Sequence, residues 1–200
     1  IENAMRANDL ELSSVKAIFV THEHQDHIQG LRIIAARYGI KVFASHGTLK
    51  ALGIAGALSD KVDYEMIGPN GVEVAGMYVK PFVTSHDSAE SFGYVVKTCD
   101  DRQAAVATDL GFVSEDIKEN ISKCDIVMIE SNHDIGMLQN GAYPYFLKRR
   151  ILSDIGHLSN DACAKELPDL VCSGVTRFVL AHLSGENNMP EIAYQTAVCH

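Results

Sequence analysis

The sequence predicts an α/β (α+β) sandwich, and three observations predict it. Short apolar runs alternate with segments of helical periodicity along all 200 residues, with no linker, internal repeat or low-complexity tract between them. The composition, 46% hydrophobic and 22% charged, is that of an ordinary globular chain with one substantial core, so residues 1–200 are expected to form one domain. Several of the apolar runs stop at a His, Asp or Glu, and ligand sites in such sheets lie at the carboxyl ends of strands.

The elements follow in order. Ala17-Ile18-Phe19-Val20 reads as a buried strand, and residues 28–38 as a helix with Ile28, Leu31, Ile34 and Ala35 at helical spacing. Strands are expected at 41–44, 72–83, 92–98, 104–108, 126–130 and 177–181. Helices are expected at 114–122 with Ser114 as N-cap, at 145–153, at 159–167 capped by Ser159 or Asn160, and at 190–198, where Pro190 suits a first turn. Pro168 should end or kink its helix. Five runs deliver a polar group at their ends: residues 18–20 lead to His22, 82–83 to Ser85-His86-Asp87, 105–107 to Thr108-Asp109, 126–129 to Glu130 and His133, and 178–181 to His182. One such ending means nothing; five suggest a single site.

Composition excludes several classes. A net charge of −9 argues against general affinity for nucleic acid or anionic membranes, although bound cations can invert the local field. No apolar stretch approaches the roughly 18 residues that span a bilayer, so no membrane partner is expected. The N-terminus is neither basic nor followed by an apolar core, so no signal peptide is read. Five cysteines, odd in number and without a Cys-x-x-Cys pair, are neither a disulfide framework nor a zinc ribbon; a reducing cytoplasm fits.

The densest chemistry is Thr21-His22-Glu23-His24-Gln25-Asp26-His27. In an extended or tightly turned segment His22 and His24 can point the same way, with Asp26 and His27 just beyond and able to face a second ion. Imidazole with carboxylate suits zinc, manganese or iron, zinc being the default. Lys148-Arg149-Arg150 is the one compact basic cluster, either a solvated helix face or a contact for a phosphate backbone.

The pattern His22-x-His24-x-Asp26-His27 resembles the signature of the metallo-β-lactamase superfamily, with His86, Asp109 and His182 standing where its remaining motifs fall. The resemblance implies an αββα sandwich, lacking here its first N-terminal strands, with two divalent ions. His22, His24 and His86 would hold one ion, Asp26, His27 and His182 the other, and Asp109 both. A closer likeness extends over nearly the whole chain. Thr84-Ser85-His86-Asp87, Ala107-Thr108-Asp109-Leu110-Gly111, Ile129-Glu130-Ser131-Asn132-His133-Asp134 and Ser153-Asp154-Ile155-Gly156-His157-Leu158-Ser159-Asn160 are similar to segments of the bacterial YycJ/WalJ (VicX) group. That group is described as metal-dependent hydrolases akin to 5′→3′ DNA exonucleases.

What the resemblance implies is a phosphodiesterase acting on DNA through metal-activated water, with Asp26 and His157 as catalytic candidates. His157 would give a proton to the leaving oxygen or hold a phosphoryl oxygen with Ser159. His133, with Glu130 and Asn132, would orient a metal ligand or touch substrate, and Lys148, Arg149 and Arg150 would contact the DNA backbone. Two other readings stand beside it: a hydrolase of small thioesters or lactones on the same metals, and a regulatory module whose metals are structural.

Overall fold

The computed structural model describes residues 1–199. After a short helix, α1 (Glu2–Arg6), three strands, β1 (Ala17–Phe19), β2 (Lys41–Ala44) and β3 (Tyr64–Met66), pair in parallel in that order. Helices α2 (Gln25–Ile28), α3 (Leu31–Tyr38) and α4 (His46–Ile54) connect them. The second sheet runs β4 (Val72–Val74), β5 (Met77–Val83), β6 (Phe92–Lys97), β7 (Gln103–Ala107), β8 (Ile126–Glu130) and β9 (Arg177–Ala181). It is antiparallel from β4 to β7 and parallel from β7 to β9. Helices α5 (Glu115–Ile121), α6 (Ile135–Asn140), α7 (Tyr145–Ile151), α8 (Asn160–Cys172) and α9 (Pro190–Cys199) fill the later connections. Among the described residues no helix is long and apolar enough to cross a membrane.

Three apolar clusters divide the chain into four layers, the αββα sandwich that the family resemblance implies. Leu31 and Ala35 of α3 and Leu52 of α4 pack with Val42 and Ala44 on the outer face of the first sheet. Phe43, Ile67, Val79, Phe92 and Tyr94 fill the space between the sheets. Ile117, Ile121, Leu167 and Leu170 of α5 and α8 pack with Ala105, Ala107, Val127 and Ile129 on the far side of the second sheet. At about 1.5–3 kcal/mol for each large apolar side chain buried, these clusters carry most of the folding drive.

Two expectations need correction. The run 72–83 is not one strand. Ala75 and Gly76, with φ of +54° and +76°, form a two-residue turn that joins β4 to β5 as a hairpin, the left-handed pair that matches strand twist. Helix α8 also runs through Pro168 to Cys172 instead of stopping there. Pro168 faces solvent, while Leu167 and Leu170 on either side are buried in the core, and that burial offsets the roughly 3 kcal/mol that an interior proline costs. The expected caps form: Ser114 accepts from the Ile117 amide and Ser159 from the Ala162 amide.

Candidate metal centre

Five strands bring their carboxyl ends to one edge of the sandwich. β1 leads through Val20 and Thr21 to His22, and this turn is pinned from the opposite sheet. The Tyr94 hydroxyl donates to the Val20 carbonyl at 2.7 Å and the Phe92 amide to the Thr21 carbonyl at 3.0 Å. β5, β7, β8 and β9 deliver His86, Asp109, Glu130 and His182. Asp109 and His182 sit at φ of +60° and +57°, a region that non-glycine residues enter at a cost. That conformation turns each strand end so that its side chain joins the cluster. Asn132 holds the second of these bends by donating to the His182 carbonyl at 2.8 Å.

The distances within the cluster are those of groups sharing an ion. Ligands placed tetrahedrally at about 2.0–2.1 Å from zinc stand about 3.3–3.4 Å apart. His24 Nδ1 and His86 Nε2 are 3.2 Å apart. Asp109 Oδ2 is 3.5 Å from His27 Nε2, and Asp109 Oδ1 is 3.5 Å from His182 Nε2 and 3.8 Å from His86 Nε2. Asp26 Oδ2 lies 3.5 Å from His27 Nε2 and 3.7 Å from His182 Nε2. Donor atoms of His22, His24 and His86 fall within 4.8 Å of one another, as do those of Asp26, His27 and His182, while Asp109 reaches toward both groups.

The donors also have the right chemistry. His22 Nε2 and Asp109 Oδ2 are buried with no hydrogen-bond partner, a costly state that a cation relieves. A carbonyl can only accept, so His86 Nδ1 must donate to the Gly156 carbonyl, at 3.0 Å, which leaves Nε2 with its lone pair toward the cluster. The Thr21 hydroxyl oxygen lies 3.1 Å from His22 Nδ1 and 3.2 Å from His27 Nδ1, and its two lone pairs can fix both rings in the same tautomer. Burial, with the neighbouring imidazoles adding to it, pushes the His22 pKa down to about 2, and burial also lowers that of His86. Both rings are therefore neutral, the state a metal ligand requires. These residues fit a pair of divalent cations.

Glu130 organises the far side. It is fully buried and accepts four hydrogen bonds: Oε1 from His157 Nδ1 and His182 Nδ1, each at 2.8 Å, and Oε2 from the amides of Leu110 at 2.7 Å and Leu158 at 3.1 Å. Burial alone would raise its pKa, but the bonds from His157 and His182 override it and hold the carboxyl near 2. For His182 burial lowers the pKa, whereas the bond to Glu130 and the Asp109 charge lift it to about 9. One carboxylate thus aims two imidazoles, a role the sequence reading gave only in part, as a companion of His133. The available signal was a carboxylate ending the apolar run 126–129.

His157 is carried onto the cluster by a loop that crosses tightly over the strand ends. Its ring centroid is 5.0 Å from that of His86 and 5.3 Å from that of His182. The crossing requires bare backbone. A β-carbon at Gly111 would stand 1.9 Å from the Asp154 carbonyl oxygen, and one at Gly156 would stand 2.2 Å from that of Ile151.

The remaining expected substrate contacts lie differently. The His133 ring is buried, with Nδ1 3.3 Å from Asn132 Oδ1, and burial lowers its pKa to about 4. The Ser159 hydroxyl is engaged in capping α8. Lys148 donates to the Gln139 and Gly141 carbonyls at 2.8 and 2.7 Å, closing α6. Arg150 makes a forked pair with Asp87, whose Oδ1 is 3.5 Å from His86 Nε2. Of the three cations Arg150 alone makes an ion pair among the described residues, and the Arg149 guanidinium sits over the Tyr145 ring at 6.0 Å.

Similar proteins share this architecture. The chain is 38% identical over 195 residues to a Bacillus anthracis protein named exodeoxyribonuclease YycJ, covering 96% of this chain and 73% of that one. It is 36% identical over 188 residues to exodeoxyribonuclease WalJ of Streptococcus pneumoniae serotype 2, covering 91% of this chain and 68% of that one. The crystal structure of the metallo-β-lactamase fold protein YhfI from Bacillus subtilis superposes with a TM-score of 0.71 at 12% identity, over 94% of this chain and 72% of that one. Residues 2–183 match the family described as the β-lactamase superfamily domain, and with the histidine–aspartate cluster at the strand ends this chain belongs to that superfamily and has the metallo-β-lactamase fold.

Proposed function

We propose that the chain is a two-metal phosphodiesterase that degrades DNA from an end in the 5′→3′ direction, with residues 1–200 acting as one hydrolase domain. The observation that carries this reading is the set of converging donors at ligand spacing with buried, unpartnered His22 Nε2 and Asp109 Oδ2. The likeness to two proteins named exodeoxyribonucleases supports the choice of substrate. In this reading His22, His24 and His86 hold one ion, Asp26, His27 and His182 the second, and Asp109 both. Divalent ions so held, zinc by the donor set and otherwise manganese or iron, supply activated water and neutralise phosphoryl charge. Asp26, the most exposed carboxylate of the cluster, orients water on the open side. His157, held by Glu130 through Nδ1, presents Nε2 to protonate the leaving oxygen, a role worth about 10²–10⁴-fold. The five cysteines are free in the structure, which supports a reducing compartment such as the cytoplasm.

The test is a panel in which the zinc- or manganese-loaded protein is offered single- and double-stranded DNA, RNA, bis-p-nitrophenyl phosphate and a thioester. The proposal expects diester and DNA cleavage that ceases with a chelator. Rapid thioester or lactone hydrolysis with every nucleic acid left intact would overturn it in favour of a small-molecule hydrolase.

A further inference from the structure

The loop that carries His86 sets one more carboxylate beside the centre. Asp87 Oδ1 stands 3.5 Å from His86 Nε2, nearer than Asp109 Oδ1 at 3.8 Å. Yet among the described residues Asp87 joins none of the groups whose donor atoms all fall within 4.8 Å of one another. It borders one metal-facing nitrogen from outside the set.

Arg150 keeps it there. Its Nη2 donates to Asp87 Oδ1 at 2.8 Å and its Nε to Oδ2, so the planar fork engages both carboxylate oxygens at once. Both partners are also fixed through their backbones. The Asp87 amide donates to the Ile155 carbonyl at 3.0 Å. At the end of α7 the Arg150 carbonyl accepts from the Ser153 hydroxyl at 2.7 Å, and the Ile151 carbonyl accepts from the His157 amide at 2.9 Å. The pair therefore ties the His86 loop to the loop that carries His157. Its side chains stay 21% and 46% exposed, where solvent screens an ion pair and folding stability gains little from it. Its significance lies in where it puts the charge.

A carboxylate this close to a pair of dications is drawn inward, because bound cations are the largest charges in such a site. A catalytic zinc site differs from a structural one in keeping a position open for water, and a carboxylate that joined the donors would close it. We infer that Arg150 is a positioning residue whose fork holds Asp87 out of the coordination sphere, keeping a position open beside His86 for water and phosphate. This inference rests on the two-metal phosphodiesterase reading above.

The test is removal of the fork followed by rescue, with bis-p-nitrophenyl phosphate as substrate so that no contact to a DNA backbone enters. In zinc-loaded Arg150→Gln, turnover should fall about 10- to 100-fold while zinc affinity, read by chelator competition, rises about 10-fold. A merely lost supporting contact moves that affinity the other way. Adding Asp87→Asn to the same variant removes the intruding charge and should bring turnover and zinc affinity back close to the parental values. Asp87→Asn alone should hold both ions at parental affinity. If Arg150→Gln folds poorly, Arg150→Lys, which keeps the charge but not the fork, should show the same two shifts to a smaller degree. Zinc affinity that falls in the Arg150 variants would overturn the inference, as would a turnover loss that Asp87→Asn leaves unrelieved. An ion lost from Asp87→Asn would overturn it by making Asp87 a ligand. Impaired DNA cleavage with the small diester turned over at the parental rate would overturn it too, assigning Arg150 to the nucleic-acid backbone. If the unmodified protein holds two zinc ions but cleaves no diester, the phosphodiesterase reading fails, while the affinity shifts still decide whether Arg150 restrains Asp87.

Discussion

Replacing Glu130 with Gln removes one charge and almost no volume, yet it should damage both stability and site. The carboxylate accepts four hydrogen bonds, two from imidazole Nδ1 atoms and two from amides, in a fully buried position. An amide has one accepting oxygen and one donating nitrogen. With its nitrogen toward Leu110 and Leu158, two backbone N–H groups face another donor. Turned the other way, it drives His157 and His182 into the tautomer with the proton on Nε2, which cannot ligate. The first orientation leaves two buried donors unsatisfied at about 1–3 kcal/mol each, so it should cost about 2–6 kcal/mol, a large part of a typical folding stability of about 5–15 kcal/mol; the second avoids that cost only by taking the imidazoles out of the tautomer a metal needs. Disturbing the group that orients a ligand should also weaken metal binding by about 10- to 100-fold. Urea unfolding and chelator competition for zinc read the two effects separately, and Glu130→Asp, which keeps the charge but shortens the reach, serves as a second variant should the amide fail to fold. Unfolding and zinc affinity at parental values in Glu130→Gln would refute the argument that this carboxylate organises the site.

Other outcomes follow from the same geometry. His157→Ala should keep its metal and its fold while turnover of bis-p-nitrophenyl phosphate falls by about 10²–10⁴-fold; unchanged turnover removes His157 from the chemistry. Gly111→Ala forces the loop of residues 153–157 away from the strand ends, so melting temperature and turnover should fall together, and a variant with normal turnover would contradict the tight crossing. The metal-stripped protein should be most stable near pH 6.5, the ordinary imidazole value. Below it the unfolded chain takes protons at His22 and His133 that the folded chain refuses, since their folded pKa values are about 2 and 4, so stability falls with pH. Above it His182 stays protonated when folded up to about 9, and that contribution is lost as pH rises through 9. Thermal melts in chelator between these limits check the maximum, and a curve rising monotonically with pH would contradict it.

The parts legible in the sequence were those governed by local pattern. Apolar runs with a polar terminus marked β1, β5, β7, β8 and β9, because each strand closes on apolar residues and its end is where a side chain can reach the edge. The spacing of His22, His24, Asp26 and His27 was legible for the same reason, all four lying on one short turn. Long-range pairing was not legible. Nothing near Glu130 in sequence announces that it binds His157 and His182 together, and nothing near Arg150 announces Asp87, because those partners meet only when the loop after α7 folds back over the strand ends. The partners of the basic triplet were hidden for the same reason: three adjacent cations look like one surface, but Lys148 binds carbonyls and Arg150 binds Asp87. The short helices α1, α4 and α6 and strand β3 also went unread, since they carry little periodicity and tertiary packing decides them.

The central claim is that the strand-end cluster is a two-cation centre, and metal content tests it most directly. Purified protein exchanged into zinc or manganese, freed of loosely held ions and analysed by inductively coupled plasma mass spectrometry should carry close to two ions per chain. Asp109→Ala, which removes the one carboxylate that faces both groups of histidines, should lose at least one of them with the fold retained by circular dichroism. An unmodified chain that holds and recruits no divalent transition metal, or an Asp109→Ala variant that keeps both ions at parental affinity, would contradict the account.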